Sequence, residues 1–230
     1  MNMHETSGTV PRFRAVLFDM DGVLTDNLRL HLAAWADYLR ERFGVEIAAG
    51  DRRFQSGLNH EIYERVLGRK LPPAEARAFH EEKEARYMRL AHGVLGPVGG
   101  LHTYLGWLEA RRIPKALVTG SDRKGVAFCL GQLGLTGRFP VVVTSEDVRR
   151  GKPSPEAFLL GASRLGVLPT DCLVHEDSEG GIASALTAGA AYVAAVATTL
   201  PAPALLAAGA GWAGADFDAW IAELERGGPR

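Results

Sequence analysis

The sequence contains little that is typical of membrane, secreted or metal-thiolate proteins. It has only 2 cysteines, Cys129 and Cys172, and their separation fits neither a disulfide framework nor a metal site, so we expect buried free thiols. No apolar run reaches the roughly 20 residues that a membrane-spanning helix needs. Residues 1–12 are polar and lack the apolar stretch of a secretory signal. Together these absences favour a protein of the reducing cytoplasm.

An excess of charge of one sign is also missing. The 26 lysines and arginines nearly balance the 27 aspartates and glutamates, which leaves a formal net charge of -1. Because such a chain has no global field that attracts polyanions, we expect neither a nucleic acid nor a membrane as partner. A monomer is slightly favoured, although no residue pattern decides the oligomeric state.

What the sequence does have is a regular alternation of short apolar runs and helical patterns. Five runs predict strands, at 12–18, 115–118, 141–143, 173–175 and 191–196. Five helical patterns accompany them, at 101–111, 124–133, 155–165, 181–188 and 202–210. Because strands that alternate with helices form parallel sheets covered on both faces, we predict an α/β fold with a doubly wound, Rossmann-like parallel sheet.

One long segment interrupts this alternation. Between residues 28 and 96 there is no strand pattern, and apolar residues such as Leu28, Leu32 and Leu39 recur at helical spacing. We therefore assign residues 1–26 and 97–230 to the α/β core domain, and residues 27–96 to an inserted α-helical cap domain, called the cap below. The cap follows the first strand directly, so we expect it over the sheet edge where open α/β sheets bind ligands. The first ten residues and the tail 226–230 are expected to be mobile.

The first strand ends in DMDGVLTD, at residues 19–26. Asp19 and Asp21 leave the strand two residues apart, so they can share a hard cation while one carboxylate remains free to attack. A calcium loop of the EF-hand type is excluded, because Leu30 stands at the twelfth position, where that loop needs a glutamate. A plain Asp-Gly turn accounts for Asp21 but not for two acids directly after an apolar strand.

Three further polar motifs follow later strands: VTGS at 118–121, GKPSPE at 151–156 and HEDSEGGI at 175–182. The Thr119 hydroxyl could bind a phosphate oxygen, and Ser121 could cap the next helix. Lys152, held between a glycine and a proline, could balance an anion, although an isolated lysine is more often a surface charge. Glu176 and Asp177 would repel each other unless a cation lay between them, although a helix N-terminus also favours acids. At one sheet edge the four motifs together would supply a nucleophile, a hydroxyl, a cationic clamp and metal-binding acids.

In content and order these motifs resemble the four motifs of the haloacid dehalogenase-like (HAD) hydrolase superfamily. The helical insert resembles that family's C1 cap, and the likeness covers residues 12–224. Within the superfamily the chain is most similar to the β-phosphoglucomutase and sugar-phosphate phosphatase branch. The resemblance implies Asp19 as nucleophile, Asp21 as general acid/base, and Thr119 and Lys152 as catalytic residues on the phosphate.

The same resemblance implies Mg²⁺ as the cofactor and a small phosphorylated metabolite as the substrate. The implied metal ligands are Asp19, the carbonyl of Asp21, Asp177 and, assisting, Glu176. Gly120 and Ser121 are implied substrate contacts. Asp21 favours phosphate over carbon–halogen chemistry, because an alkoxide that leaves phosphorus needs a proton and a halide does not.

The cap offers two candidate substrate contacts, His31 and His60. His31 and Trp35 resemble a His…Trp pair of the mutase branch, although Trp35 could equally belong to the cap core. Residues 55–61 resemble the cap's specificity loop, in which His60 replaces an arginine that binds a distal phosphate and Ser56 replaces a lysine. These losses favour hydrolysis of a monophosphate, although some arginines could compensate: Arg52, Arg53 or Arg123.

Other polar residues of the chain are interpreted as structural. The mixed charges of residues 73–91 predict a solvated helix face. No role follows for His80, and His175 is expected to be structural.

Three functions remain open. The first is a phosphatase for a small phosphate monoester such as a sugar phosphate, which forms an aspartyl-phosphate. The second is a mutase of the β-phosphoglucomutase type, in which a sugar hydroxyl replaces water as the acceptor. The third, a non-enzymatic phospho-acceptor domain, has no need of a cap of about 70 residues, and we disfavour it for that reason.

Overall fold

A computed structural model describes residues 10–48, 51–54 and 57–227 of the chain. Its sheet is parallel throughout, with the strand order β3-β2-β1-β4-β5-β6. The strands are β1 (Ala15–Phe18), β2 (Lys115–Val118), β3 (Val141–Val143), β4 (Cys172–Glu176), β5 (Tyr192–Val196) and β6 (Trp212–Gly214). The predicted doubly wound α/β fold is confirmed.

Helices cover both faces of this sheet. On one face, Val16 and Phe18 pack against α4 (Leu101–Ala110), α5 (Arg123–Gln132) and α9 (Phe217–Gly227). On the other face, Ala15 and Leu17 pack against α6 (Glu156–Leu165), α7 (Glu179–Thr187) and α8 (Ala202–Ala207). Because successive side chains of β1 point to opposite faces, burial of both faces requires an uninterrupted apolar strand, and AVLF supplies it.

The strand register determines which residues meet at the carboxyl edge of the sheet. Phe18, the last residue of β1, pairs with Leu117 of β2 on one side and with His175 of β4 on the other. The residues that follow these strands therefore leave the sheet at one place. This register brings the first, second and fourth motifs together.

The segment after β1 is helical, as expected for the cap. It contains α1 (Leu28–Phe43), α2 (Asn59–Leu67) and α3 (Pro73–Ala91), and α1 packs along α3. These helices have a hydrophobic core of their own, formed mainly by aromatic residues: Trp35, Tyr38, Phe54, Tyr63 and Phe79. Left-handed glycines end α1 and α2, at Gly44 (φ 64°) and Gly68 (φ 65°). The division at residues 27 and 96 stays a prediction.

Some predicted boundaries differ from the structure. The first strand begins at Ala15 rather than at residue 12, and α8 ends at Ala207. β6 was not predicted, since three residues at a sheet edge are too short for a periodic pattern. Nor was α9, although its buried Phe217, Trp220 and Leu224 lie at helical spacing. Residues 226 and 227 of the tail predicted to be mobile belong to α9, whereas residues 1–9 and 228–230 lie outside the described range.

Three residues for which we expected no functional role are buried. Cys129 and Cys172 are free thiols in the interior, as predicted. His175 lies between the backbone oxygen of Ala194 (3.0 Å from Nδ1) and the Tyr104 hydroxyl (3.2 Å from Nε2), and burial lowers its pKa to about 3. The ring is therefore neutral and structural. No helix in the described ranges combines the length and the apolar character that crossing a membrane would require.

Candidate active site

Lys152 lies at the centre of the carboxyl edge of the sheet. Its ammonium group is 2.6 Å from Oδ1 of Asp19 and 2.5 Å from Oε1 of Glu176, and it donates to the Val118 carbonyl at 3.2 Å. Asp19 follows β1, Glu176 ends β4, and Lys152 comes from the loop before α6. The predicted convergence of three separate motifs on one point is therefore observed.

Three acids form an acidic cluster beside this lysine. One carboxylate oxygen from each of Asp19, Glu176 and Asp177 lies within 4.8 Å of the others, and all three residues are buried. Lys152 contacts two of these carboxylates, whereas the contacts of Asp177 are the Thr199 hydroxyl, which donates to it, and the Gly22 backbone beside it. A buried carboxylate without a cationic partner is costly, and oxygen ligands are those that Mg²⁺ prefers. The cluster fits a hard divalent cation.

Glycine is required at two positions beside these acids. Gly22 has φ 84°, and a Cβ there would lie 1.9 Å from Oδ2 of Asp177. A Cβ on Gly181 would lie 1.9 Å from the Glu176 carboxyl carbon. Both glycines therefore leave room for a carboxylate, and Gly22 also allows a turn with positive φ.

Burial dominates the protonation of the acidic cluster. It raises the pKa of Asp19 to about 7, with Lys152 opposing and the neighbouring Glu176 and Asp21 carboxylates adding to the rise. Burial and the neighbouring Glu176 and Asp19 carboxylates raise the pKa of Asp177 well above its ordinary value. Burial opposes the charge of Lys152, but the two carboxylates in contact with it keep its pKa above the ordinary value. Lys152 is therefore a permanent cation among acids that compete for it.

Asp21 has a different environment from the acidic cluster. Its carboxylate accepts hydrogen bonds from Asn27 (2.6 Å), His31 (3.2 Å) and Ser121 (2.9 Å). Enclosure in the site opposes ionisation, but these hydrogen bonds hold the pKa of Asp21 well below its ordinary value. Its side chain is thus an ionised acceptor beside the nucleophile candidate, and its predicted carbonyl contact to a metal stays a prediction.

The contacts of His31 determine which of its nitrogens carries the proton. The Lys83 ammonium, which can only donate, is 2.9 Å from Nδ1. Nδ1 must therefore accept, and Nε2 carries the hydrogen that points to Asp21. The ring also stacks on Tyr87 at a centroid distance of 3.8 Å. His31 is placed at the site, as predicted, and positions Asp21.

The second motif lies beside Asp21, with one correction. Thr119 is buried, and its hydroxyl oxygen accepts the Ser121 amide at 3.1 Å. Ser121 does not cap α5, because its hydroxyl donates to Asp21. Asp122 caps that helix instead and accepts from the Gly125 amide at 2.6 Å. The capping alternative for Ser121 is therefore wrong, whereas its place beside the site agrees with the prediction.

The cap closes over these residues and encloses a cavity of about 690 Å³. The cavity is lined from below by Asp19, Asp21, Thr119, Gly120, Lys152 and Asp177. From above it is lined by α1 and α3 and by the chain between them. The backbone oxygen of Gly57 lies 3.9 Å from where a Gly120 Cβ would be, and the Leu58 amide nitrogen lies 2.6 Å from where a Gly151 Cβ would be. The cap backbone therefore rests directly on the loops that carry Gly120 and Gly151.

Two cap assignments can be compared with this cavity. The sequence left open whether Trp35 belongs to the cap core or faces the site. It packs on Phe54 and Tyr63 in the cap core and also lines the cavity. His60 is exposed on α2 and is absent from the cavity lining, to which the preceding residue, Asn59, contributes instead. The structure therefore gives no support for the expected substrate contact of His60, which stays a prediction.

The arginines named as compensating cations do not line the described cavity either. Arg53 pairs with Asp51 at 2.5 Å, and Arg123 pairs with Glu146 and Asp147. The Arg52 side chain, like Gln55 and Ser56, lies outside the described residues.

The sequence prediction missed a polar cluster on α3. Lys83 is 1% exposed and Glu84 8% exposed, so the expectation of a solvated face is wrong for these two residues. Phe79, Lys83 and Tyr87 recur every four residues and are all buried, a spacing that could have identified the docked face. His80, to which we gave no role, bridges cap and core through Nε2, 2.7 Å from Asp122.

Comparison with known proteins agrees with this geometry. A family model described as haloacid dehalogenase-like hydrolase matches residues 13–189. The chain is 31% identical over 182 residues to the fructose-1-phosphate phosphatase YqaB of Escherichia coli, covering 77% of this chain and 94% of that one. It is 32% identical over 202 residues to a phosphorylated carbohydrates phosphatase of Thermotoga maritima, covering 85% and 91%. Among solved structures, a putative β-phosphoglucomutase from Bacteroides vulgatus has a TM-score of 0.79 and 25% identity, covering 96% and 92%.

Proposed function

The chain belongs to the haloacid dehalogenase-like hydrolase family, and from this premise we propose that it hydrolyses a small sugar phosphate through a phosphorylated Asp19, with Mg²⁺ as cofactor. Its membership and its phosphatase relatives make it a phosphoric monoester hydrolase. The observation that carries the finer proposal is the meeting of Asp19, Asp21 and Lys152 with the acidic cluster beneath a closed cap.

Asp19 is proposed to attack first. A carboxylate oxygen forms a bond to phosphorus while the bond from phosphorus to the ester oxygen breaks. Lys152, which already holds Oδ1 of Asp19 at 2.6 Å, orients the nucleophile and offsets its repulsion from the phosphate dianion. The Thr119 hydroxyl and the Gly120 backbone lie at the same cavity floor and are proposed to bind phosphate oxygens.

Asp21 is proposed to move the proton in both halves of the reaction. In the first half it gives a proton to the leaving alkoxide, and in the second it takes one from the water that attacks the aspartyl-phosphate. The hydrogen bonds from Asn27, His31 and Ser121 suit the second half, because they keep the carboxylate ionised and aimed. For the first half, an arriving phosphate dianion favours the protonated acid by like-charge repulsion.

The acidic cluster is proposed to hold the magnesium ion through Asp19 and Asp177, with Glu176 supporting. Bound there, the ion would supply the positive charge that keeps Asp19 ionised and stabilises the charge of the transferring group. The Thr199 hydroxyl fixes the orientation of Asp177, and Lys152 and the Ser178 hydroxyl fix Glu176.

The same proposal includes the roles of the two domains, the class of substrate and the oligomeric state. We propose that residues 27–96 act as a cap that excludes water and selects the leaving group, over a core of residues 1–26 and 97–230. The substrate is a small phosphorylated metabolite of the cytoplasm, and neither nucleic acid nor membrane takes part. A monomer is proposed, as the sequence slightly favours.

A mutase of the β-phosphoglucomutase type is the second candidate, and the likeness to the Bacteroides vulgatus structure favours it. The two functions differ only in what accepts the phosphoryl group. Incubation with glucose 1-phosphate, followed by phosphorus NMR, distinguishes them: we expect inorganic phosphate, whereas glucose 6-phosphate would replace the phosphatase proposal by the mutase.

The phosphatase proposal is tested with purified protein, a panel of sugar phosphates and released phosphate as readout. We expect turnover that needs Mg²⁺ and is abolished in Asp19→Asn. Asp26→Asn is the matched control, because Asp26 lies in the same motif but is exposed. Turnover that survives in Asp19→Asn, or a covalent phosphoryl group on another residue, would contradict the proposed nucleophile.

A further inference from the structure

The upper wall of the cavity contains a buried ion pair on α3. The Lys83 ammonium is 2.9 Å from Oε1 of Glu84, and the Asn59 amide donates to the same oxygen at 2.8 Å. The Lys83 side chain is 1% exposed and that of Glu84 11% exposed. Both residues line the cavity that also holds Asp19 and Lys152. The cavity that would receive the leaving group therefore has this ion pair in its wall.

Cations are few among the described residues of the cavity lining. The two ammonium groups are those of Lys152 and Lys83, and no described arginine side chain contributes. Lys152 is shared between Asp19 and Glu176, and Lys83 is paired with Glu84. One phosphate can bind beside Lys152 and the acidic cluster with its metal. A second phosphate would meet no unpaired positive charge in the described lining.

The remainder of the upper wall is apolar. Its apolar side chains are Leu28, Leu32, Trp35, Ile47, Phe54 and Ile62. Moving a phosphate dianion from water to such a wall is strongly unfavourable without a hydrogen-bonded counter-charge. Glu84 also stays ionised: burial opposes its charge, but the Lys83 ammonium and the hydrogen bonds from Lys83 and Asn59 hold its pKa below the ordinary value.

We propose that Glu84 is a specificity-determining residue, which restricts the site to substrates with a single phosphate by neutralising Lys83 in the cavity wall. The inference rests on the proposed phosphatase function and narrows its substrate class to monophosphates of otherwise uncharged sugars or polyols. A site can reject a competitor by placing an unmatched charge or an apolar surface where the competitor differs. Here Glu84 takes up the charge of Lys83, and the apolar wall offers a second phosphate no other counter-charge.

The test measures how two sugars compete with p-nitrophenyl phosphate, whose hydrolysis reports the phosphatase chemistry itself. Fructose 1-phosphate and fructose 1,6-bisphosphate are compared by their inhibition constants at fixed Mg²⁺. For the wild type we expect the monophosphate to bind at least tenfold more tightly. If the monophosphate binds no better than the bisphosphate, the inference is overturned, although the phosphatase proposal stands. Absence of p-nitrophenyl phosphate and sugar phosphate turnover would overturn the phosphatase proposal, and the inference with it.

Variants then assign the preference to Glu84. Glu84→Gln leaves the Lys83 ammonium unpaired, so the preference for the monophosphate should fall at least fivefold, through tighter binding of the bisphosphate. Glu81→Gln is the matched control, because Glu81 is exposed on the same helix. This variant should prefer the monophosphate as strongly as the wild type does. An unchanged preference in a folded Glu84→Gln protein would overturn the inference.

A double variant keeps the test valid if Glu84→Gln does not fold. Lys83→Met/Glu84→Gln replaces the buried pair by neutral side chains of similar size, a change that folded proteins often tolerate. It has neither the carboxylate nor the free ammonium, so its preference should remain within about threefold of the wild type. A double variant that binds the bisphosphate as well as the monophosphate would show that the pair does not set the preference.

Discussion

Replacement of Lys152 by methionine removes the cation that the acidic cluster shares. Loss of one partner of a buried ion pair costs about 3–5 kcal/mol, because the remaining charge stays buried and uncompensated. In this chain two carboxylates lose their partner, those of Asp19 and Glu176. For a protein of this length, 1 kcal/mol corresponds to about 2–4 °C, so without metal the melting temperature should fall by roughly 6–20 °C.

The same variant has a pH signature. The pKa of Asp19 is already raised to about 7 with Lys152 present, compared with about 3.9 in an unfolded chain. Between these values the native state binds more protons, so stability falls as pH rises, by up to about 1.4 kcal/mol per pH unit for one group. Without Lys152 the pKa of Asp19 rises further. The stability of the variant therefore continues to fall with rising pH above pH 7. The gap between wild type and variant should therefore widen from pH 7 to pH 9.

Calorimetry in EDTA between pH 6 and pH 9 measures both effects. Lys124→Met is the matched control, because Lys124 is exposed on α5, and it should melt within about 2 °C of the wild type. Phosphatase activity of Lys152→Met should fall at least a hundredfold, the usual cost of one electrostatic contact to the transition state. Equal melting of the two variants at every pH would refute the argument that Lys152 compensates buried acids.

Three other outcomes are expected. Asp21→Asn should lower turnover by about 10²–10⁴-fold and leave the melting temperature within a few degrees, as steady-state kinetics and thermal melts would detect. Gly151→Ala should lower turnover strongly and the melting temperature only slightly, because its Cβ would lie 2.6 Å from the Leu58 amide nitrogen and oppose cap closure. Turnover equal to that of the wild type would contradict the direct contact between Gly151 and the cap. The Asp122 hydrogen bond raises the pKa of His80. The contact therefore stabilises the folded protein fully below about pH 6.5, and this stabilisation is lost as pH rises through the raised pKa. The stability loss in His80→Gln should thus shrink from pH 6 to pH 9, and a pH-independent loss would exclude the ion pair.

The core and its site could be predicted well from the sequence because both depend on local patterns. The runs at 115–118 and 141–143 are strands with the predicted bounds, and each motif follows a strand. The carboxyl ends of parallel strands lie at one edge of the sheet. A parallel sheet therefore brings Asp19, Lys152 and Asp177 to the same edge. β6 escaped prediction, because its three residues at the sheet edge depend on β5 rather than on their own pattern.

The cap shows where local patterns were insufficient. The bounds of α3 were predicted as Pro73–Ala91, but the mixed charges along it do not reveal which face is buried. Packing of α1 on α3 buries Lys83 and Glu84 and leaves Glu81 exposed. The same helix therefore carries solvated charges and a polar cluster of the cavity.

By itself, the sequence determined the α/β core, the helical insert and the identity of the acids, hydroxyls and lysine at the sheet edge. These features depend on hydrophobic periodicity and on residues that directly follow strands, and both can be read along the chain. Only the tertiary structure decided that Ser121 and His31 aim Asp21, that His60 is exposed outside the cavity lining, and that Glu84 pairs with Lys83. Those outcomes depend on how the cap docks, and docking is set by packing between residues far apart in sequence.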